Sequence, residues 1–224
     1  IHNLYPINQF KADFTKMDVR IGEHTANETH LKGAVKLSKV EAAAHPEYMS
    51  DAGEMSWDLK AEKVLPYSVG FGTSPFFVAI NAFQMYWHAA GMYTRYSGTI
   101  TFNGQLYNVE PDSSYGYQDK NWGGDYTSPW VWLNCNNFTD RATGKKLAKT
   151  GLDCGGAQPV VLGVSLPRRM LIAFYLEGEL FEFNFSKVWT NPKQVFDCPV
   201  TDEFVGWNLT AWNNKGKIEI HFKC

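Results

Sequence analysis

The chain has 224 residues but no long apolar run and no cluster of like charge. Its longest hydrophobic stretches, residues 75–82 and 170–176, are far shorter than the ~20 residues that a helix needs to cross a bilayer. The formal net charge is -2, and no lysine or arginine cluster extends beyond a pair. We therefore predict no integral membrane segment and no nucleic-acid partner.

Motifs for metal or redox chemistry are also missing. The six histidines are scattered, and no two cysteines have the Cys-x-x-Cys spacing of a zinc or redox site. We predict no metal and no cofactor. Two disulfides in three pairings are possible, but a core of this size favours buried free thiols. The cysteines are Cys135, Cys154, Cys198 and Cys224.

The two ends of the sequence lead to two expectations. The first residues do not resemble a secretory signal peptide, and we expect a cytoplasmic or membrane-peripheral protein rather than a secreted one. The chain starts at Ile1 in an extended pattern and stops at Cys224 without a closing turn. We therefore expect a fragment, or a chain trimmed at both ends.

Short alternating runs separated by turn residues dominate the sequence. Residues 99–109 turn at Asn103-Gly104, and residues 170–185 turn at Glu177-Gly178. Both are hairpin signatures, because such dipeptides accept the positive φ that a tight turn requires. Residues 217–222 form a third alternating run. The pattern predicts an all-β fold with many short antiparallel strands.

Helical patterns are scarce. Residues 36–44 are compatible with two helical turns before Pro46. The sequence Thr73-Ser74-Pro75 is typical of a helix cap followed by proline in the first turn. The apolar run that follows, residues 76–90, fits either a short buried helix or a pair of strands.

Residues 113–138 concentrate tryptophan, tyrosine and asparagine. If residues 130–138 form a strand, alternation puts an indole-and-amide set on one face and an aliphatic set on the other. The first set is Trp130, Trp132, Asn134, Asn136 and Phe138, and the second is Val131, Leu133, Cys135 and Asn137. Monomers rarely expose an apolar patch of that size, so we expect both faces to be packed. The indole-and-amide face would suit a pocket, although simple core packing remains an alternative.

The preceding run alternates as well. Tyr115, Tyr117, Asp119 and Asn121 would share one face of a strand, and Gln118, Lys120 and Trp122 the other. The glycine pair at 123–124 then allows a sharp turn. A solvated turn edge, with Asp119 and Lys120 as a surface ion pair, is the alternative interpretation.

These residues resemble the signature of the tocopherol cyclase family. The resemblance rests on YQDKNWGG at 117–124, followed by Trp130-Val131-Trp132, Asn136 and Phe138. Tyr5-Pro6 and residues 18–22 resemble an early segment of bacterial members, and residues 97–104 resemble the hairpin before the signature. Asn134 stands where the family usually has glutamine. The N-terminal Phe-Glu-Gly-Trp-Tyr element of the family is absent.

The resemblance implies two consecutive lipocalin-like antiparallel β-barrels with little helix. The first would span residues 1–126 and the second residues 127–224, with the boundary near 124–128, and each would be incomplete at one end. It also implies an intramolecular cyclase or isomerase that acts on a prenylated quinol or another isoprenoid.

Such a cyclase must protonate a prenyl double bond and stabilise the resulting tertiary cation. This chemistry calls for an acid kept neutral in an apolar site, for aromatic faces and for exclusion of water. Asp119 is the candidate acid, with Tyr117 and His88 as further catalytic candidates. Trp122, Trp130 and Trp132 are candidate cation-stabilising walls, and the other candidate substrate-binding residues are Tyr115, Asn121, Asn134 and Asn136.

Two further functional classes remain open at this point. A non-catalytic carrier of an apolar small molecule would use the same barrel and pocket. Carbohydrate binding would instead place tryptophan and asparagine on an open groove. His88, which lies among aromatic residues, is also compatible with simple packing, as are the tyrosines and tryptophans.

Overall fold

The computed structural model describes residues 1–70, 74–126 and 130–224, most of them in β-strands. The first strands are β1 (Phe10–Ala12), β2 (Asp18–Ile21), β3 (His24–Asn27), β4 (His30–Leu37), β5 (Gly53–Leu65), β6 (Met85–Phe102), β7 (Gln105–Val109) and β8 (Tyr115–Gly123). The later strands are β9 (Trp130–Cys135), β10 (Gly151–Ala157), β11 (Val160–Val161), β12 (Val164–Ser165), β13 (Arg169–Leu176), β14 (Glu179–Asn184), β15 (Lys193–Asp197), β16 (Gly206–Asn213) and β17 (Gly216–Lys223). The predicted mainly-β class is confirmed.

Helical segments are few and short. They are α1 (Lys39–Ala44), α2 (Pro75–Ala79) and 3-10 turns at Ile7–Gln9, Pro46–Tyr48 and Val188–Thr190. Within the described ranges, none of the helices has the length and apolar character needed to cross a membrane.

The chain forms two compact units, each built from two separate stretches of sequence. Unit 1 contains residues 1–68 and 88–120, and unit 2 contains residues 69–87 and 121–224. The predicted domain boundary between residues 126 and 127 stays a prediction, and residues 127–129 lie outside the described part of the chain.

Unit 1 is organised around one antiparallel sheet. Strands β1 to β7 follow one another in sequence order across it, and β8 pairs with β6. In β5 the side chains alternate, with Met55, Trp57 and Leu59 half-buried and the residues between them exposed. A sheet with one covered face produces this alternation.

Both predicted hairpins are confirmed. Asn103 and Gly104, with φ of 48° and 82°, join β6 to β7. Glu177 and Gly178, with φ of 49° and 95°, join β13 to β14. Two consecutive residues with positive φ match the right-handed twist of the flanking strands. The third predicted strand is β17.

The predicted helices are partly confirmed. Residues 36–37 finish β4, and α1 begins only after Ser38, whose side chain accepts a hydrogen bond from the Glu41 amide while Glu41 accepts one from the Ser38 amide. This reciprocal capping fixes the helix start. Ser74 and Pro75 begin α2 as predicted, whereas Thr73 lies outside the described residues. Residues 76–90 divide between the end of α2 and the start of β6.

Unit 2 is built from a four-stranded sheet, in the order β14-β13-β10-β9, and a three-stranded sheet, β15-β16-β17. Apolar side chains from one face of each sheet form a common core. Its fully buried members are Leu152, Cys154, Met170, Ile172 and Phe183 from the larger sheet and Leu209 and Ala211 from β16. This core covers only one face of the four-stranded sheet. The polar residues of the same strands lie on the other face.

Closure of the sheets into barrels is not confirmed. In the described residues β1 pairs only with β2, and β9 and β14 form the two edges of the four-stranded sheet. Alternating patterns specify strands and their faces, but they do not specify which sheet edges meet.

All four cysteines are free thiols. Cys154 is buried, as predicted, whereas Cys224 is exposed and the other two are half-buried. Burial, followed by the charge of Asp153, raises the pKa of the Cys154 thiol to about 12.

Candidate functional site

The predicted catalytic strand, β8, carries its tyrosines and Asp119 on one face. Tyr115 stacks on Tyr93 of β6 with 5.1 Å between ring centroids. The carbonyl oxygen of Tyr117 accepts a hydrogen bond from the Tyr96 hydroxyl at 3.3 Å. Burial raises the pKa of Tyr96. Asp119 is half-buried two residues further along the same strand face, and the grouping of Asp119 with Tyr115 and Tyr117 in one site stays a prediction.

The opposite face of β8 carries a polar cluster that the sequence did not indicate. Gln118 is buried, accepts a hydrogen bond from the Lys63 ammonium and donates one to the Asn27 carbonyl at 2.9 Å. Lys63 also donates to the Glu28 carbonyl at 2.5 Å. Burial lowers the pKa of Lys63 to about 8, although the charge of Glu28 acts in the other direction.

His88 belongs to this second cluster. Its Nε2 lies 3.3 Å from Oε1 of Glu28, and within the described residues its buried Nδ1 has no hydrogen-bond partner. Glu28, which lies in the turn between β3 and β4, could not be predicted from the sequence as a partner of His88. Its side chain contacts His88 and its carbonyl accepts from Lys63, so this glutamate links the two side chains.

Lys120 also points away from the Asp119 face. Its ammonium donates to the backbone carbonyls of Asp13 and Lys16. Burial lowers the pKa of Lys120, and the nearby carboxylates, with Asp13 first, oppose this shift. The surface ion-pair interpretation of Asp119 and Lys120 stays a prediction.

Trp122 and Asn121, at the end of β8, belong to unit 2. The Trp122 ring stacks almost parallel on Tyr86, with 5.4 Å between centroids and 9° between planes. Tyr86 is buried and donates a hydrogen bond to the Phe77 carbonyl, so Trp122 lies in an aromatic cluster. Asn121 is exposed.

The prediction that both faces of the Trp130 strand are packed is wrong. Trp130 and Trp132 are 59% and 44% exposed, whereas Val131 and Leu133 pack against the core of unit 2. The second sheet covers only the aliphatic face, and alternation alone cannot show which face will be covered.

The predicted strand also ends early, at Cys135. Asn136 therefore lies beyond the strand and is half-buried. Phe138, predicted on the indole face, instead packs against the core and meets Phe174 edge-on at 5.7 Å.

The indole face continues across the four-stranded sheet as a buried polar surface, here called the polar sheet face. The strand register aligns Asn134, Asp153, Ala173 and Glu182 in one row and Trp132, Gly155, Leu171 and Asn184 in the next. Asp153 and Asn184 are completely buried. Since burying a carboxylate costs several kcal/mol unless partners satisfy it, such a face is unusual for a purely structural sheet.

Each polar side chain of this face makes at least one defined hydrogen bond. The indole Nε1 of Trp132 donates to Oδ1 of Asp153 at 3.0 Å, and the Asn134 amide donates to the Leu152 carbonyl at 3.1 Å. The Asn184 amide donates to the Val69 carbonyl at 2.8 Å. These bonds fix the Trp132 ring and leave a side-chain oxygen of Asn134 available as an acceptor.

An ion pair lies at the β14 end of the polar sheet face. The ammonium of Lys187 is 2.5 Å from Oε1 of Glu182, and both side chains are largely buried. Burial, with a contribution from the Glu182 charge, raises the pKa of Tyr175. Among the described residues, no group of three or more His, Cys, Asp or Glu side chains is arranged to hold a metal.

A glycine lets a second indole approach this face. A Cβ atom on Gly155 would lie 3.2 Å from Trp87 and 3.9 Å from Trp132. Trp87 and Trp132 therefore both reach the backbone at Gly155. Four residues of this face were not predicted from the sequence: Asp153, Glu182, Lys187 and Trp87. Their one signal in the sequence is an aspartate among apolar and glycine residues at 151–156.

Comparisons with known proteins agree with the resemblance of the signature. A family model described as "Tocopherol cyclase-like" matches residues 11–224. A chloroplastic tocopherol cyclase of Zea mays is 27% identical over 172 residues, which are 74% of this chain and 31% of the relative. A probable chloroplastic tocopherol cyclase of Oryza sativa subsp. japonica is 28% identical over 145 residues, 63% of this chain and 26% of the relative. The chain spans less than a third of these relatives, and no solved structure matches it.

Proposed function

Because the chain belongs to the tocopherol cyclase-like family, we propose that it closes a ring in a prenylated quinol by acid-promoted cyclisation. The family match over residues 11–224 is the observation that carries this proposal. Predicted lipocalin-like barrels and an apolar substrate are part of the same proposal.

The reaction is an isomerisation in which one proton enters and one leaves. A carboxylic acid donates its proton to the less substituted carbon of the prenyl double bond, and a tertiary cation forms on the other carbon. The phenol oxygen attacks that cation, and its proton returns to the carboxylate. The atoms balance without an oxidant or a reductant.

Asp119 is the proposed acid. It is half-buried and shares its face of β8 with Tyr115 and Tyr117, and a carboxyl group in aromatic surroundings favours the protonated form that donation requires. Tyr117 and His88 are proposed to assist proton transfer, and the buried Nδ1 of His88 has no hydrogen-bond partner among the described residues.

The proposed stabilisation of the cation rests on the indoles. An aromatic face attracts a cation, with tryptophan the strongest of the three aromatic residues. Trp132 offers a half-exposed ring held by Asp153, with Trp122 and Trp130 as further proposed walls. Asn121, Asn134, Asn136 and Tyr115 are the proposed contacts to the quinol.

The test is direct conversion of substrate. Purified protein is incubated in D2O with a hydroquinone that carries a prenyl chain next to one hydroxyl, and the product is analysed by chromatography and mass spectrometry. We expect a chromanol with one deuterium on carbon. Asp119→Asn should lower the rate by about 10²–10⁴-fold, the usual contribution of general acid catalysis.

Asp112→Asn is the matched control, because Asp112 is exposed before β8. Loss of activity in both variants, or in neither, would count against Asp119 as the acid. If the wild-type protein binds the quinol but forms no chromanol, a non-catalytic carrier replaces the cyclase.

A further inference from the structure

An open groove lies on the surface of unit 2, at one end of the three-stranded sheet. Its volume of about 510 Å³ is within the range of roughly 300–1,000 Å³ that is typical of small-molecule sites. The groove is lined by Trp189, Asn191, Lys193, Trp212, Asn213 and Asn214. The proposed cyclisation uses none of these residues.

Hydrogen bonds fix the two walls of the groove in place. Nδ2 of Asn213 donates to the Glu182 carbonyl at 3.0 Å and to the Thr190 carbonyl at 3.3 Å. Its Oδ1 accepts from the Lys215 amide at 2.9 Å. Asn213 therefore ties the β16–β17 turn to the short helix that carries Trp189, and the groove needs little ordering when a ligand binds.

The exposed lining combines flat apolar surfaces with amides. Trp189 is 64% exposed, and Trp212 lies in register between Lys193 and Lys217. In the part of the chain that the structure describes, the side-chain amides of Asn191 and Asn214 form no hydrogen bonds. Each amide offers two donors and an acceptor to a ligand.

This chemistry excludes two ligand classes. A wholly apolar molecule would take the amides out of water without replacing their hydrogen bonds, which costs free energy. A phosphate would need concentrated positive charge, but the lining contains a single lysine, Lys193, and the nearby Lys217 is ion-paired with Glu219. A sugar ring has an apolar C–H face to place on an indole, and its hydroxyls donate to and accept from amides.

We propose that this groove binds a neutral saccharide. A pyranose ring packs on the indoles of Trp189 and Trp212, and its hydroxyls hydrogen-bond to Asn191 and Asn214. Lys193 donates to a hydroxyl oxygen, and Asn213 holds the walls rather than the ligand.

Titration of the full chain with cellotriose, maltotriose and the trisaccharide of N-acetylglucosamine tests the proposal. The readout is the set of indole N–H signals in proton–nitrogen NMR spectra, with calorimetry for affinity. At least one trisaccharide should shift the Trp189 and Trp212 signals with a Kd in the micromolar to millimolar range. Trp212→Ala should weaken binding by about tenfold or more, and Asn214→Ala by about threefold, which corresponds to roughly 0.7 kcal/mol.

Trp189→Ala gives a second test if Trp212→Ala reduces stability, because an exposed ring contributes little to folding. Tyr126→Ala removes an equally exposed aromatic ring of unit 2 outside the groove, and it should leave the affinity unchanged. The proposal is overturned if none of the three sugars shifts an indole signal at about 10 mM, well above millimolar Kd values. It is also overturned if binding survives the loss of both tryptophans. Neither result depends on cyclase activity.

Discussion

The indole nitrogen of Trp132 donates a 3.0 Å hydrogen bond to an oxygen of Asp153, a carboxyl group that is completely buried. The half-exposed ring of one strand is thereby joined to an acidic side chain of the next. Hydrogen bonds to ionised acceptors are stronger than neutral ones.

The coupling between these two residues can be measured by a double-mutant cycle. Asp153→Asn and Trp132→Phe should each lower the free energy of unfolding by about 1–3 kcal/mol, the range for a hydrogen bond to a charged group. The double variant should lose less than the sum by about 1–2 kcal/mol. Urea unfolding measures all four proteins.

Trp130→Phe is the control for this cycle, because Trp130 lies on the same strand face but is more exposed. It should change the free energy of unfolding by less than about 0.5 kcal/mol. Additive effects of Asp153→Asn and Trp132→Phe would show that the hydrogen bond does not couple them.

The glycine pair of the signature should respond unequally to substitution. Gly123 has φ of 151°, and a Cβ atom there would lie 2.2 Å from the Gln84 carbonyl oxygen, whereas a Cβ on Gly124 would meet nothing within 4 Å. Gly123→Ala should therefore cost more than about 2 kcal/mol of stability, and Gly124→Ala almost nothing. Thermal unfolding compares the two, and equal losses would contradict this close approach.

Cys154 should be the least reactive thiol of the folded protein. Its pKa of about 12 reflects burial first and the Asp153 charge second. At pH 8 a thiol reagent should modify exposed Cys224 quickly and Cys154 only after unfolding. Modification of Cys154 in the folded protein at the rate of Cys224 would contradict its burial.

The raised pKa of Cys154 also has a consequence for stability. The protonated thiol makes its full contribution to the free energy of unfolding below the unfolded-state pKa of roughly 8.5. This contribution is lost as the pH rises through about 12. The free energy of unfolding of the wild-type protein, relative to Cys154→Ala, should therefore fall across this alkaline range. Denaturant unfolding at several pH values measures the difference.

Lys63 should titrate with a midpoint near its pKa of about 8, because burial disfavours its ammonium form. NMR of the carbon next to the amine can follow this titration. Between pH 8 and the unfolded-state pKa near 10.4 the unfolded chain binds more protons, so stability relative to Lys63→Met should rise with pH. A midpoint above 10 would show that the side chain is solvated.

Local elements could be predicted from the sequence because their causes are local. Asn103-Gly104 and Glu177-Gly178 specify hairpins through their own backbone preferences. The Asp119 face of β8 follows from strand alternation in the same way.

The covered face of β9 could not be predicted, because it depends on packing with residues distant in sequence. Leu133 packs against a core that includes Leu209 and Ala211 of β16, so the indoles of Trp130 and Trp132 remain on the other side of the sheet. The partner of His88 could not be predicted either, because Glu28 is 60 residues away in the sequence. Asp153 is not part of a recognisable sequence motif. Its hydrogen bond with Trp132 depends on the register of β9 with β10.

Unit 2 takes residues 69–87 from the first half of the chain, and this has a consequence for dissecting the protein. The Asn184 amide is satisfied by the Val69 carbonyl, and Trp87 lies over Gly155. A piece that starts at residue 127 would lack the Val69 carbonyl that accepts the hydrogen bond from Asn184. It would also lack the Trp87 indole that lies over Gly155. A C-terminal piece therefore contains all of unit 2 only if it begins at or before residue 69, and a piece that begins at residue 127 needs residues 69–87 from a second, co-expressed segment.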